Sequence, residues 1–266
     1  MSTIERDGFL SEEAEEGHMK IIEAYKVVFT LGRETNQEAM NLLRAIHLDW
    51  NDKGRIIASA LFIRIVETYQ AILLLLQMGM VAQARMLVRT GLDALFSMAA
   101  IARDPDLTKS YVAQHYDSVI KALKAAKRWK QETLRGQLST EKIDELIAQN
   151  EAELKSTKCD KLKVWQWAEK AGLEDYYSVL YVENSSAVHS DMWALNDQLT
   201  GVPGEEFQIH LGPTDVGLYH TFRSAATMLL TGIERIGKAY NLHFDNRTRE
   251  LRNLWVQLDA TFYRES

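Results

Sequence analysis

The sequence has little that would interrupt a helix: three prolines in 266 residues, at positions 105, 203 and 213. So few obligatory breaks leave long stretches free to be helical. Cysteine is scarcer still. Cys159 stands alone, which excludes an internal disulfide and a cysteine-built zinc site and fits a reducing cytoplasm. The opening residues MSTIERDGFL lack the apolar core of a secretory leader. Long hydrophobic runs are missing too: the longest strictly aliphatic one, Ala71 to Leu76, falls well short of the roughly 20 residues that span a bilayer. A cytoplasmic chain without membrane contact is therefore expected. An apolar content of 46% against 26% charged residues excludes a disordered chain.

A strong charge of one sign is also absent over most of the chain. The net charge is −6, but residues 1–50 carry five basic against ten acidic side chains and so hold nearly all of it. Residues 121–170 reverse the balance mildly, with 12 basic and 8 acidic side chains, too little for the footprint of a duplex-DNA binder.

What the chain does have is helical periodicity. Ser11 followed by Glu12 and Glu13 reads as an N-cap, with Ile21, Ile22, Tyr25, Val28 and Phe29 recurring at helical spacing until Gly32, where a first helix is expected to end near Leu31. A second is expected from Thr35 or Asn36 to Leu48. Two strongly apolar helices follow, Ile56 to Met78 and Val81 to Ala102, separated only at Gly79, so they should fold back as an antiparallel hairpin that Asp104-Pro105 closes. Residues from Asp106 to about Arg135, and again from Ser139 to Lys155, predict a projecting charged hairpin. Helices are further expected over 176–195, 215–240 and 246–262, with one irregular loop near 200–214. The expected fold is all-α: a bundle of about eight to ten helices around a central hairpin, with acidic N-terminal helices in 1–54 packed on a main bundle in 55–266.

Three groups of residues could carry chemistry. Arg64 and Glu67 lie three apart, and Arg85, Arg89 and Asp93 are spaced by four, so each set shares a helix stripe. If the stripes face each other, Arg64, Glu67, Arg89 and Asp93 form a partly buried ionic cluster closed by bidentate contacts. Such a cluster either locks the helices together or leaves an arginine pair free to grip a phosphate or carboxylate. The second group is Ser185 and His189, four apart, with Ser186 on the same side. His189 is the candidate for proton transfer, against the plainer reading of a histidine bonded within its helix. The third is Lys121, Lys124 and Arg128 beside Trp129, which could track an RNA backbone or form a solvated face. No G-x-S-x-G elbow, phosphate loop, dinucleotide fingerprint or paired-histidine metal motif occurs, and the other histidines are scattered, so no metal or cofactor is expected.

The Arg64-x-x-Glu67 pair, Gly79, the run Ala84-Arg85-Met86-Leu87-Val88-Arg89-Thr90 leading to Asp93, and the Tyr177/Ser185/His189 helix together resemble an uncharacterised bacterial all-helical family known only as a domain of unknown function, over residues 55 to 240. Where that family usually has glutamate, this chain has Asp93. The resemblance implies an all-helical fold whose arginine, acidic and histidine positions converge on one polar site. Glu183-Asn184 followed by His189 is more loosely similar to HEPN-type helical proteins, many of them metal-independent RNases of toxin and antiviral systems. That similarity implies a ribonuclease acting across a homodimer; Glu183 stands where those proteins carry arginine, and Arg64 or Arg89 could supply that arginine from another helix. The readings of function are thus a helical protein whose polar cluster binds a small anionic ligand or organises the fold, or an RNase.

Overall fold

The computed structural model describes residues 2–128, 139–189, 199–200, 208–209 and 211–262, apart from the side chains of residues 189, 199, 200, 208 and 209. Its elements are α1 Thr3–Asp7, α2 Glu12–Ala24, α3 Lys26–Ala45, α4 Lys53–Gln77, α5 Val81–Arg103, α6 Thr108–Arg128, α7 Thr140–Thr157, α8 Val164–Ala171, α9 Glu174–Tyr176, a π turn over Tyr177–Tyr181, α10 Val182–His189, α11 Leu218–Ala239 and α12 Asp245–Phe262. The all-α class holds. The only strands among the described residues form a two-residue antiparallel ladder, Leu199–Thr200 against Gln208–Ile209, in the stretch expected to be irregular.

The caps follow the side chains that can make them. Ser11 Oγ accepts from the Ala14 amide at 3.1 Å and Ser139 Oγ from the Lys142 amide at 3.2 Å, starting α2 and α7 where the sequence predicts. Asp104 leaves the helical region before Pro105, and its carboxylate takes the Asp106 amide at 3.1 Å. Between α4 and α5 the chain reverses at Gly79, whose φ of +69° suits glycine. Space matters there too: a Cβ would lie 2.8 Å from the Thr214 amide nitrogen, and that amide donates to the Gly79 carbonyl at 3.1 Å. The segment leading into α11 is thereby pinned to the hairpin turn.

The first two long helices divide elsewhere than predicted, and the second ends at Ala45 rather than Leu48. The chain breaks at Tyr25 and continues as α3 straight through Gly32. Gly32 is a contact point rather than a terminus: a Cβ would meet the Phe222 ring, and Tyr69 donates to the Gly32 carbonyl at 3.1 Å. Glycine here lets α3 approach α4 and α11.

The core is one continuous cluster centred on α4, α5 and α11, with α3 and α12 closing one side and α8 and the Tyr177–Tyr181 turn the other. Phe29 of α3 meets Phe222 of α11 edge-on at 5.4 Å, and Trp255 of α12 donates to Thr35 at 3.1 Å. By length and composition α4 would suffice to cross a bilayer, with a mean hydropathy of 1.6, but half of that window is buried inside the protein. Its buried stripe, Leu61, Phe62, Ile65, Val66, Tyr69 and Ile72, feeds the core. Away from the core, α6 and α7 form the expected charged hairpin, joined by Lys124–Glu151 at 2.6 Å and Lys127–Asp144 at 2.5 Å.

Candidate functional site

The buried stripe of α4 decides where its charges go. Arg64 and Glu67 fall off that stripe and are exposed, and neither forms an ion pair among the described residues. The expected four-membered cluster is therefore corrected to a pair. On α5, Arg89 donates through Nη1 to Asp93 Oδ2 at 3.1 Å, one turn along the helix, by a single contact rather than a bidentate one. Its other terminal nitrogen, Nη2, donates to the Tyr181 hydroxyl at 2.7 Å, and the guanidinium carbon lies 5.0 Å from the centre of the Tyr181 ring.

Tyr181 reaches Arg89 because of the π turn. There the Val182 amide bonds back five residues to the Tyr177 carbonyl, so the chain takes an extra residue per turn just before α10. Tyr177 and Tyr181 stack at 5.1 Å, and both rings pack on Phe96 of α5. The hydroxyl of Tyr181 and the guanidinium of Arg89 both favour the ionised form of Asp93. Burial outweighs them and holds the Asp93 carboxyl above its ordinary range. Burial, and then the nearby charge of Asp93, push the Tyr181 phenol up to about 12. Asp93 Oδ1 and Arg89 Nε are buried with no hydrogen-bond partner among the described residues, so the pair is not fully satisfied.

Asp93 also lines a solvent-open cavity of about 330 Å³ between α4, α5, α6 and α8. Leu61, Ala94, Val164 and Trp167 supply apolar wall; Thr90, Ser97 and Gln114 supply polar atoms; Tyr111 crosses Trp167 edge-on at 6.1 Å. Trp167 is held in place by its indole N–H, which donates to Gln114 Oε1 at 3.1 Å. Arg64 lines the same cavity, and it alone of the lining residues is exposed, so it stands at the mouth. The cavity thus has one cation, Arg64, and one carboxylate, Asp93. Tyr111, Gln114 and Trp167 were not foreseen as site residues, nor was Tyr181. Only Tyr181 had a sequence signal, its spacing of four from Tyr177 and from Ser185.

The other predicted residues lie elsewhere. Ser185 donates to the Tyr181 carbonyl at 2.7 Å, one turn back in its own helix. Glu183 meets His220 of α11 at 3.2 Å. His189 ends α10 with its side chain outside the described residues, as do Ser190, Trp193 and Trp129. Lys121 pairs with Asp117 at 2.9 Å and Lys124 with Glu151, which neutralises two of the three proposed RNA contacts, while Arg128 is exposed at the end of α6. Among the described residues no group of His, Cys, Asp and Glu is arranged to hold a metal ion.

No curated protein and no solved structure matches the chain. A family profile does match, over residues 55–207, which takes in nearly all of α4, α5 to α10 and all five charged residues of the α4 and α5 stripes, though it stops short of the 240 expected from the sequence. That match covers more than half of the chain, which belongs to the family of unknown function DUF5677.

Proposed function

We propose that the cavity beside Asp93 holds a small anionic ligand, gripped at its charged group by Arg64, and that the protein acts in the cytoplasm as a binding module. The observation that carries this reading is Arg64 itself: a guanidinium at the mouth of a cavity of about 330 Å³, with no ion-pair partner among the described residues. Its planar fork matches carboxylate and phosphate oxygens. Arg89 is less suited to that role, since its charge is already paired with Asp93 and it does not line the cavity.

The ribonuclease reading finds less support. It needs His189 to work with an arginine at an open groove, yet the residue in the expected arginine position is Glu183, paired with His220, and Lys121 and Lys124 are committed to carboxylates. Calorimetric titration of 4-methylpentanoate, phenylacetate and phenyl phosphate tests the proposal. At least one should bind, and Arg64→Gln should weaken that binding by about tenfold or more. Binding that survives Arg64→Gln unchanged overturns the proposal, as does no binding by any of the three. RNA cleavage lost in His189→Ala would instead establish the ribonuclease.

A further inference from the structure

We infer that the ligand of this cavity is a zwitterion of the α-amino-acid class with an apolar side chain, its carboxylate on Arg64 and its ammonium on Asp93. The inference rests on the anion-binding reading above and adds what Asp93 and the walls require. Asp93 is the sole carboxylate among the lining residues, and Arg64 the sole cation. The two come from neighbouring helices, α4 and α5, and line one cavity, so the adjacent ammonium and carboxylate of a single α-carbon can meet both charges while the side chain turns to the rest of the wall. One third of the Asp93 side chain stays exposed although Arg89 is bonded to it. A carboxylate oxygen accepts more than one hydrogen bond, so Oδ2 can hold Arg89 and a ligand N–H together.

The electrostatics favour a cation at that end over a neutral donor. Asp93 is short of hydrogen bonds, with its Oδ1 unpartnered among the described residues, and half-buried, where charge–charge attraction is screened less than in water. A simple anion would leave this carboxylate facing its own charge inside the cavity. The ammonium of a zwitterion removes that repulsion while Arg64 keeps the acid group. The remaining lining bears on the side chain: Leu61, Ala94, Val164 and Trp167 offer aliphatic and aromatic surface, and Tyr111 and Gln114 also border a neighbouring recess of about 360 Å³ lined by Ile57, Val112, His115 and Ser118. The apolar surface is only one part of the wall, with Thr90, Ser97 and Gln114 supplying polar groups beside it that can orient a ligand.

Truncated ligands test this on the unaltered protein. L-Leucine, 4-methylpentanoate, which is leucine without the amine, and 3-methylbutylamine, which is leucine without the acid, are titrated by calorimetry. Leucine should bind at least about tenfold tighter than either truncated form, because each loses one charge-assisted contact. Asp93→Asn should bring leucine down to the affinity of 4-methylpentanoate, and Arg64→Gln to that of the amine. Equal affinities for leucine and 4-methylpentanoate overturn the zwitterion and leave the anion site standing. Leucine binding that Arg64→Gln leaves unchanged removes the anion site and the zwitterion with it. The comparison of ligands needs no substitution, so a poorly folding variant does not spare the proposal.

Discussion

Arg89 and Asp93 are bonded to each other, but the structure predicts that removing one costs far more than removing the other. Arg89 makes two hydrogen bonds, of 3.1 Å and 2.7 Å, from a side chain only 25% exposed. Replacing it with methionine deletes both and leaves Asp93 uncompensated. Breaking one side of a fully buried pair costs about 3–5 kcal/mol. With both partners partly exposed, the loss here should be about 2 kcal/mol. Asp93→Asn keeps an acceptor oxygen for Arg89 and removes the carboxylate that burial penalises, so it should cost under about 1 kcal/mol. The pH dependence follows from the raised carboxyl. A carboxyl group whose folded-state pKa lies above its unfolded value adds stability that is complete below the unfolded value and lost as pH rises through the folded one. Arg89→Met removes an influence that lowers the Asp93 value, so that value climbs further above the ordinary 3.8. The deficit of Arg89→Met should therefore shrink between neutral pH and about pH 4 as Asp93 takes up a proton. Urea denaturation at the two pH values, on the wild type and both single variants, measures this. Equal costs for the two substitutions at neutral pH, or a deficit in Arg89→Met that grows on acidification, would refute the reasoning.

Gly32→Ala gains at most about 1 kcal/mol of helix propensity but drives a methyl group into the buried Phe222 ring, so a thermal melt should show a net loss of about 1–2 kcal/mol. Gly79→Ala meets both a φ of +69° and a Cβ 2.8 Å from the Thr214 nitrogen, and urea denaturation should report a loss of about 2 kcal/mol. Arg64→Gln should leave the urea midpoint within about 0.5 kcal/mol of wild type, because Arg64 is exposed and forms no ion pair among the described residues. With the Tyr181 phenol pushed up to about 12, ultraviolet titration should show one tyrosine fewer ionising at high pH in Tyr181→Phe, and the missing one should be late rather than early.

Much of the architecture was legible in the sequence because its signals are local. Ser11, Ser139, Pro105 and Gly79 act on neighbouring backbone, and each ends or starts an element where its chemistry requires. Gly32 was misread because a glycine that ends a helix and a glycine that lets another helix approach look alike in one dimension. The second depends on Phe222, far along the chain. The candidate site divides in the same way. Arg89 and Asp93 are one turn apart on a single helix, so spacing alone pairs them. Whether Arg64 and Glu67 join them depends on which face of α4 its neighbours bury, and the buried stripe through Leu61, Ile65 and Tyr69 turned both outward. Tyr181 has a spacing of four from Tyr177, but its reach to Arg89 follows a π turn, which that spacing does not reveal. The cavity was hidden for a further reason: Tyr111, Gln114 and Trp167 come from α6 and α8, and only packing brings them beside Asp93.

The central claim is that Arg64, and not Arg89, meets the ligand's anion. Arginine side-chain NMR reads it directly: the Nε–H resonances of Arg64 and Arg89, assigned with Arg64→Gln and Arg89→Met, are followed while L-leucine and then 4-methylpentanoate are added. The account predicts that the Arg64 signal moves to saturation with each acid, and that no saturable shift of the remaining arginines survives in Arg64→Gln. An Arg64 signal that stays in place while that of Arg89 moves, or arginine signals that all stay in place, would contradict it.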